Sequence, residues 1–292
     1  MASSTQTAST GNLGSIQNTI IAQMRYTEEH NMPVVGLIEK FTLGKGEKQL
    51  DIPKAGQVEA ADLTDGHDMT ESEEINATIV SATTSEVGLK FIITDKLARQ
   101  FNQDVMGVVG RQAGDAMARK KDKDAIALFS GFSTALGQDG ALFNLSNITA
   151  VIAQAKGDKF GGNPFIVHHP NAIFKLTQSL QTPLATYPLP DVFNKPPVKD
   201  FFTGVRIGGV PFFEDGNIAK IGTTDSGYGV IATQGAMGHV TSAGRNVERQ
   251  RDASLRATEM VMTEDYGMFE LDDSKAASLR YEIGNHTSNA TS

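Results

Sequence analysis

The sequence predicts an α+β protein organised around one long helix, and three observations carry that prediction. From Thr94 to about Gly131 the positions Leu97, Phe101, Val105, Val108, Gln112 and Ala116 recur at three- and four-residue steps, and Ile126 and Phe129 resume the same face. On either side the period switches to two. Val87, Leu89, Phe91 and Ile93 alternate with polar partners before the helix, and Leu255, Ala257, Glu259 and Val261 alternate with Arg256, Thr258, Met260 and Met262 in one long strand after it. Between residues 55 and 74 no apolar pattern survives, and Glu59, Asp62, Asp65, Asp68, Glu71, Glu73 and Glu74 dominate. A loop of this length without its own core is usually functional or disordered.

The helix opens with Thr94 as N-cap and Asp95 in its first turn, and Gly131 is placed to stop it. Roughly 36 residues at 1.5 Å each make a rod on the order of 54 Å. Gly107, Gly110 and Gly114 each weaken such a rod by about 1 kcal/mol relative to alanine. Their use there, beside Ala113, implies that another backbone passes close. The run Arg119 to Asp124 reads as a solvated patch.

The 292 residues suffice for one large domain or two lobes with a sizeable core. A net charge of −8 argues against a protein that coats nucleic acid by neutralising phosphates. Zero cysteines remove disulfides, thiolate metal sites and cysteine nucleophiles together. No apolar run reaches the roughly 18 residues a membrane helix needs, and the Ser/Thr-rich leader has no apolar stretch, so a soluble protein without a membrane partner is expected.

In chain order, Ile16, Ile20 and Met24 mark a short amphipathic helix that Pro33 ends. Val35, Leu37, Ile38, Phe41 and Leu43 then lead to a turn at residues 44–47, and Leu50 and Ile52 alternate back, which predicts a hairpin. Ile75, Ala77 and Ile79 begin the return of an extended arm into the long helix. Beyond the helix, Ser146 is placed to cap a helix carrying Ile148, Val151, Ile152 and Ala155 and closing at Gly157. Phe165 to Val167 form a strand, and Ile173, Leu176 and Leu180 a second helix. Pro183, Pro188, Pro190, Pro196 and Pro197 crowd a surface loop holding Tyr187 and Phe193. A tight hairpin spans 205–213 around Gly208-Gly209, and 228–233, 238–241, 266–271 and 278–283 read as strands.

The search for chemistry is negative throughout. There is no phosphate-binding G-x-x-x-x-G-K-[ST] run, and Gly227 to Ala232 fits a dinucleotide pattern with strand where the helix must be. Ser133 follows a helix instead of a strand, so it is no nucleophile elbow. Adjacent His168 and His169 point to opposite faces of a strand and do not share a metal; one satisfied, partly buried imidazole is expected. Glu214-Asp215 and Asp272-Asp273 sit at turn signals with no partner base. No catalytic residue, cofactor or metal is expected. What remains is an acidic stretch, 59–74, and a basic cluster, Arg245, Arg249, Arg251 and Arg256.

The order of elements resembles a known family. An acidic arm returning through VGLKFIITDKLARQF, a spine helix ending KKDKDAIALFSG, then NPFIVHHPNAIFKL, a proline-rich loop, GVRIGGVPFFEDGNI and a long closing strand are similar to a tailed-bacteriophage major capsid protein of the Hong Kong 97 fold. The resemblance implies an N-terminal arm over 1–37 and an extended loop over 38–93. A peripheral domain with the spine helix would span 94–145 and 245–283, an axial domain 146–244 and a tail 284–292. It implies a virion protein, assembled in the host bacterial cytoplasm through pentamers and hexamers into an icosahedral shell that encloses double-stranded DNA without sequence-specific binding. Partners would be a separate scaffolding protein, since few residues precede the loop, a portal and an optional decoration protein. In such a shell, Glu71, Glu73 and Glu74 would meet Arg245, Arg249 and Arg251 of a neighbour, and Tyr187 and Phe193 would make capsomer contacts. The alternatives are an encapsulin-type compartment shell and, behind it, an α+β enzyme without a recognisable motif.

Overall fold

The computed structural model describes residues 32–55, 62, 77–96, 103–181 and 206–285. Along them, β1 (Glu39–Thr42) is followed by β2 (Gln49–Ala55), β3 (Ala77–Thr83), β4 (Ser85–Thr94) and helix α1 (Gln103–Ala127). Next come β5 (Ala135–Gly137), α2 (Leu145–Gly157), β6 (Phe165–His168) and α3 (Pro170–Gln181). The chain then runs through β7 (Arg206–Ile207), β8 (Val210–Glu214), β9 (Ser226–Ala232), β10 (Met237–Asp252), β11 (Ala257–Glu270) and β12 (Ala276–Glu282). The strands form a four-stranded sheet β1-β10-β11-β4, a six-stranded sheet β5-β12-β9-β6-β8-β7 and the two-stranded ribbon β2-β3.

The long helix lies where the periodicity puts it, with its buried face one residue over. Residues 95 and 96 are already helical, and a 3-10 turn, Leu128–Ser130, finishes the run. Ala113, Gly114, Met117, Ala118, Lys121, Asp122, Ala125 and Phe129 are buried, whereas Gln112 is exposed. Stepping by four from Ala113 reaches Phe129 without a break, so the stripe crosses the segment expected to be solvated. Ala113 and Met117 pack with Ile93, Val247, Met260 and Met262 of the four-stranded sheet. Each such apolar side chain is worth about 1.5–3 kcal/mol when fully buried. Gly110 is buried, as Gly114 is, and the surroundings of Gly107 lie outside the described residues. Gly131 has φ −84°, a right-handed conformation, so it ends the helix without the left-handed turn expected of it.

The hairpin expected between residues 35–43 and 50–52 does not form. β1 pairs parallel to β10, Phe41 opposite Val240, because Phe41 and Leu43 find their apolar partners, Val240 and Phe269, on that sheet. The turn does close, with Glu47 N–H donating to Gly44 O at 3.1 Å, but it redirects the chain outward. β2 then pairs with β3, from Gln49 opposite Thr83 to Ala55 opposite Ala77, so the two sides of the arm form the real ribbon.

The closing strands are longer than the pattern suggested. β10 absorbs the basic cluster as far as Asp252, accommodating irregularities between Thr241 and Asn246. β11 runs unbroken from Ala257 to Glu270, and Leu255 lies outside it in the connecting turn, 51% exposed. Arg256, at φ 48°, completes that turn. The six-stranded sheet meets expectation more closely. Ile148, Val151, Ile152 and Ala155 form the buried face of α2, capped by Asn144, whose side chain accepts from Asn147 N–H, in place of Ser146. Gly208 and Gly209, both at positive φ (60° and 87°), make the tight β7–β8 turn.

Candidate assembly surfaces

Helix and sheet are joined by buried charge as well as by apolar contact. Lys121 and Glu264 are 4% and 6% exposed and form a direct ion pair, and Arg245 Nη2 reaches the other Glu264 oxygen at 3.1 Å. Two cations therefore flank one carboxylate, an arrangement that water cannot screen. One turn along the helix, Asp124 accepts the Tyr266 hydroxyl at 2.8 Å. Burial, then that bond and the nearby carboxylates, push the Tyr266 phenol well above its usual range. The charged run predicts that Lys121 and Asp122 are solvated, and both are buried. Their spacing of four from Met117 and Ala118 was the signal for that burial.

These contacts redefine the basic cluster. Arg245 belongs to the buried pair with Glu264, and Arg251 makes two bonds to Asp95, at 2.6 and 2.7 Å, where the helix begins. Arg245 and Arg251, expected to meet the acidic arm of a neighbour, thus have partners within the chain: β10 carries them past carboxylates that are distant in sequence. Arg249 is exposed and has no ion-pair partner among the described residues. Glu71, Glu73, Glu74, Tyr187 and Phe193 lie outside the described residues.

The arm is anchored at its root. Leu50 and Ala82 pack with Leu43, Val240 and Phe269, and Lys54 pairs with Asp272 at the β11–β12 corner. Burial raises the Asp272 carboxyl, but bonds from Lys54 and Ser274 more than offset it, leaving its pKa below the usual range. Gly267 lies under the root: a Cβ there would sit 2.1 Å from Thr83 O. On the outward face, Pro53 lies opposite Ile79, which is 62% exposed. A two-stranded ribbon with an apolar outer face is marginal in isolation.

Asp272, Asp273 and the two histidines are engaged in hydrogen bonds within the chain. Asp273 accepts Ser133 N–H at 2.8 Å, and Asp272 caps the following turn. His169 is the satisfied, partly buried imidazole that was expected, its Nδ1 accepting the Asn171 N–H at 3.1 Å, and His168 is wholly buried. Its Nδ1 accepts His169 N–H at 2.9 Å, and its ring lies 5.0 Å from Phe143. Burial first, and the charge of His169 second, lower its pKa to about 3. Among the described residues no group of three metal-ligating side chains comes together, and no helix is long and apolar enough to cross a membrane.

An extended ribbon, a long helix laid on a long-stranded sheet and a second sheet flanked by helices define a shell-forming class of fold. The profile of the phage capsid protein family matches residues 77–284, and the chain belongs to that family. Solved structures agree. That of Mycobacterium phage Che8 superposes with TM-score 0.63 at 16% identity, covering 96% of this chain and 94% of its own. The acid-stable capsid of Helicobacter pylori bacteriophage KHP30 gives 0.65 at 10% identity, covering 84% and 88%. The SrpI encapsulin complex of Synechococcus elongatus PCC 7942 gives 0.61 at 11% identity, covering 89% and 91%. No curated protein matches in sequence. The fold is the Hong Kong 97 fold, and the protein is a major capsid protein, a structural component of an oligomeric virion shell.

Proposed function

We propose that this chain assembles through pentamers and hexamers into an icosahedral shell around packaged double-stranded DNA, within the bacterial host cytoplasm. A separate scaffolding protein, a portal and, optionally, a decoration protein would be its partners, and it performs no catalysis. The observation that carries the reading is the arm, whose strand β3 leaves Ile79 62% exposed and begins a family match that runs through residue 284. A net charge of −8 suits a wall that encloses nucleic acid without gripping it.

In this reading the four-stranded sheet with α1 is the peripheral domain and the six-stranded sheet the axial domain. Strands β5 and β12 then fall on the axial side, because they pair within that sheet. The arm tip, with Glu71, Glu73 and Glu74, lies on a neighbouring subunit near Arg249 and the outer sides of Arg245 and Arg251. Tyr187 and Phe193 make capsomer contacts, and Gly107, Gly110 and Gly114 admit a close backbone.

Likeness to an encapsulin favours a second reading, a compartment shell around protein cargo. Particles from the native source, treated with nuclease and examined by mass spectrometry, separate the two. Protected DNA supports the first reading, and a DNA-free shell holding one enzyme overturns it.

A further inference from the structure

Two carboxyls meet in the interior beside the 33–38 turn. Asp122 of α1 is wholly buried and Asp215, in the turn after β8, is 2% exposed. Asn217 holds both: its side chain donates to Asp122 Oδ2 at 2.8 Å and its backbone N–H to Asp215 Oδ1 at 2.8 Å. Asp122 Oδ1 accepts the Val34 N–H at 3.3 Å, and Asp215 N–H donates to His168 O at 3.1 Å. Asp215 Oδ2 is enclosed without a donor from any described group, and the Asp122 carboxyl is held beside Asp215 by the same Asn217. Both oxygens cannot face each other ionised in so dry a place.

The charged and titratable groups around the pair do not relieve it. Asp115 and Arg119 of α1 and Glu214 of β8 line an open cleft of about 430 Å³ beside Asp215 and Pro33, and His169 faces Asp215 from the end of β6. Arg119 is exposed and bonds the Asp115 carbonyl at 3.2 Å. Burial lowers the pKa of His169, and Glu214 adds a further carboxyl.

We propose that Asp122 keeps its proton at neutral pH and donates it to Asp215, and that this bond clamps the 33–38 turn and the 215–217 turn onto the spine helix. Loss of the proton loosens the entry segment, which Val34, Val35 and Ile38 otherwise pin in the core. Burial, then the bond to Asp215, raises the Asp122 carboxyl to about 8. Its pKa in the unfolded chain is near 3.9. The folded form therefore holds one more proton between those values, and the unfolding constant rises tenfold per pH unit from about pH 4 to about pH 8, then levels off.

The test uses the full chain in heavy water. Infrared spectra should show a protonated carboxyl band at about pH 6.5 that titrates with a midpoint near pH 8 and is absent from Asp122→Asn. Hydrogen exchange in residues 33–38, corrected for intrinsic rates, should lose at least about tenfold protection between about pH 6 and about pH 9 in wild type and none in Asp122→Asn. Asp215→Asn removes the bond but not the burial, so its band should persist with a midpoint below that of wild type. No protonated band in wild type, a band that survives Asp122→Asn, a midpoint that Asp215→Asn leaves unmoved, or wild-type protection unchanged across the titration overturns the clamp.

Discussion

Replacing Glu264 by Gln removes the one negative charge that Lys121 and Arg245 share. Lys121 is 4% exposed, so it cannot turn to water, and the Arg245 side chain is 11% exposed. Breaking a buried pair by deleting one partner costs about 3–5 kcal/mol. The amide still accepts one hydrogen bond, which places the expectation near the lower end, about 3 kcal/mol. With a urea slope of about 3 kcal/mol per molar, the midpoint should fall by about 1 M, read by circular dichroism on disassembled subunits. The triple change Lys121→Met, Glu264→Leu, Arg245→Met should recover most of that loss, since apolar groups of similar volume cost the site little. A Glu264→Gln midpoint within about 0.3 M of wild type, equivalent to less than about 1 kcal/mol, would show that the network is solvated and the helix held by other contacts.

Other perturbations address the helix, the arm and its tip. Gly110→Leu should overpack the helix face at a cost of about 1–3 kcal/mol and reduce particle yield; normal yield of full-sized particles would place that face in solvent. Gly267→Ala sets a methyl group 2.1 Å from Thr83 O, so it should displace the arm root and depress assembly while sparing subunit helicity, checked by native mass spectrometry. Lys54→Ala should cost no more than about 1 kcal/mol, because Lys54 is 38% exposed, and a larger loss in urea would give the Asp272 contact a role beyond positioning the arm. Reversing Glu71, Glu73 and Glu74 to Lys should block shells, and Arg249→Glu in the same chain should partly restore them in low salt. Full assembly by the acidic reversal alone would remove the proposed contact.

The sequence was most legible where one local rule governed an element. Ile148, Val151, Ile152 and Ala155 form the α2 face as their spacing predicts, and Gly208-Gly209 makes the turn that two positive φ angles require. Legibility failed where distant segments decide. Nothing near Phe41 reveals that its partner is Val240, about two hundred residues later, so a local hairpin was the natural reading. Charge misled in the same way. Lys121 and Asp122 look solvated within their run, and they are buried where Glu264 of β11 and Asn217 of the turn after β8 meet them. Arg245 and Arg251 likewise find Glu264 and Asp95 through pairings that a linear reading cannot supply.

Electron microscopy of the purified full-length protein, expressed with its neighbouring genes and imaged at concentrations that favour assembly, tests the account most directly. Closed icosahedral particles whose subunits superpose on the two sheets and spine helix, with each arm lying over an adjacent subunit, are the predicted result. A population of monomers or small closed oligomers with the arm folded on its own chain, unchanged across protein concentration and salt, would contradict it.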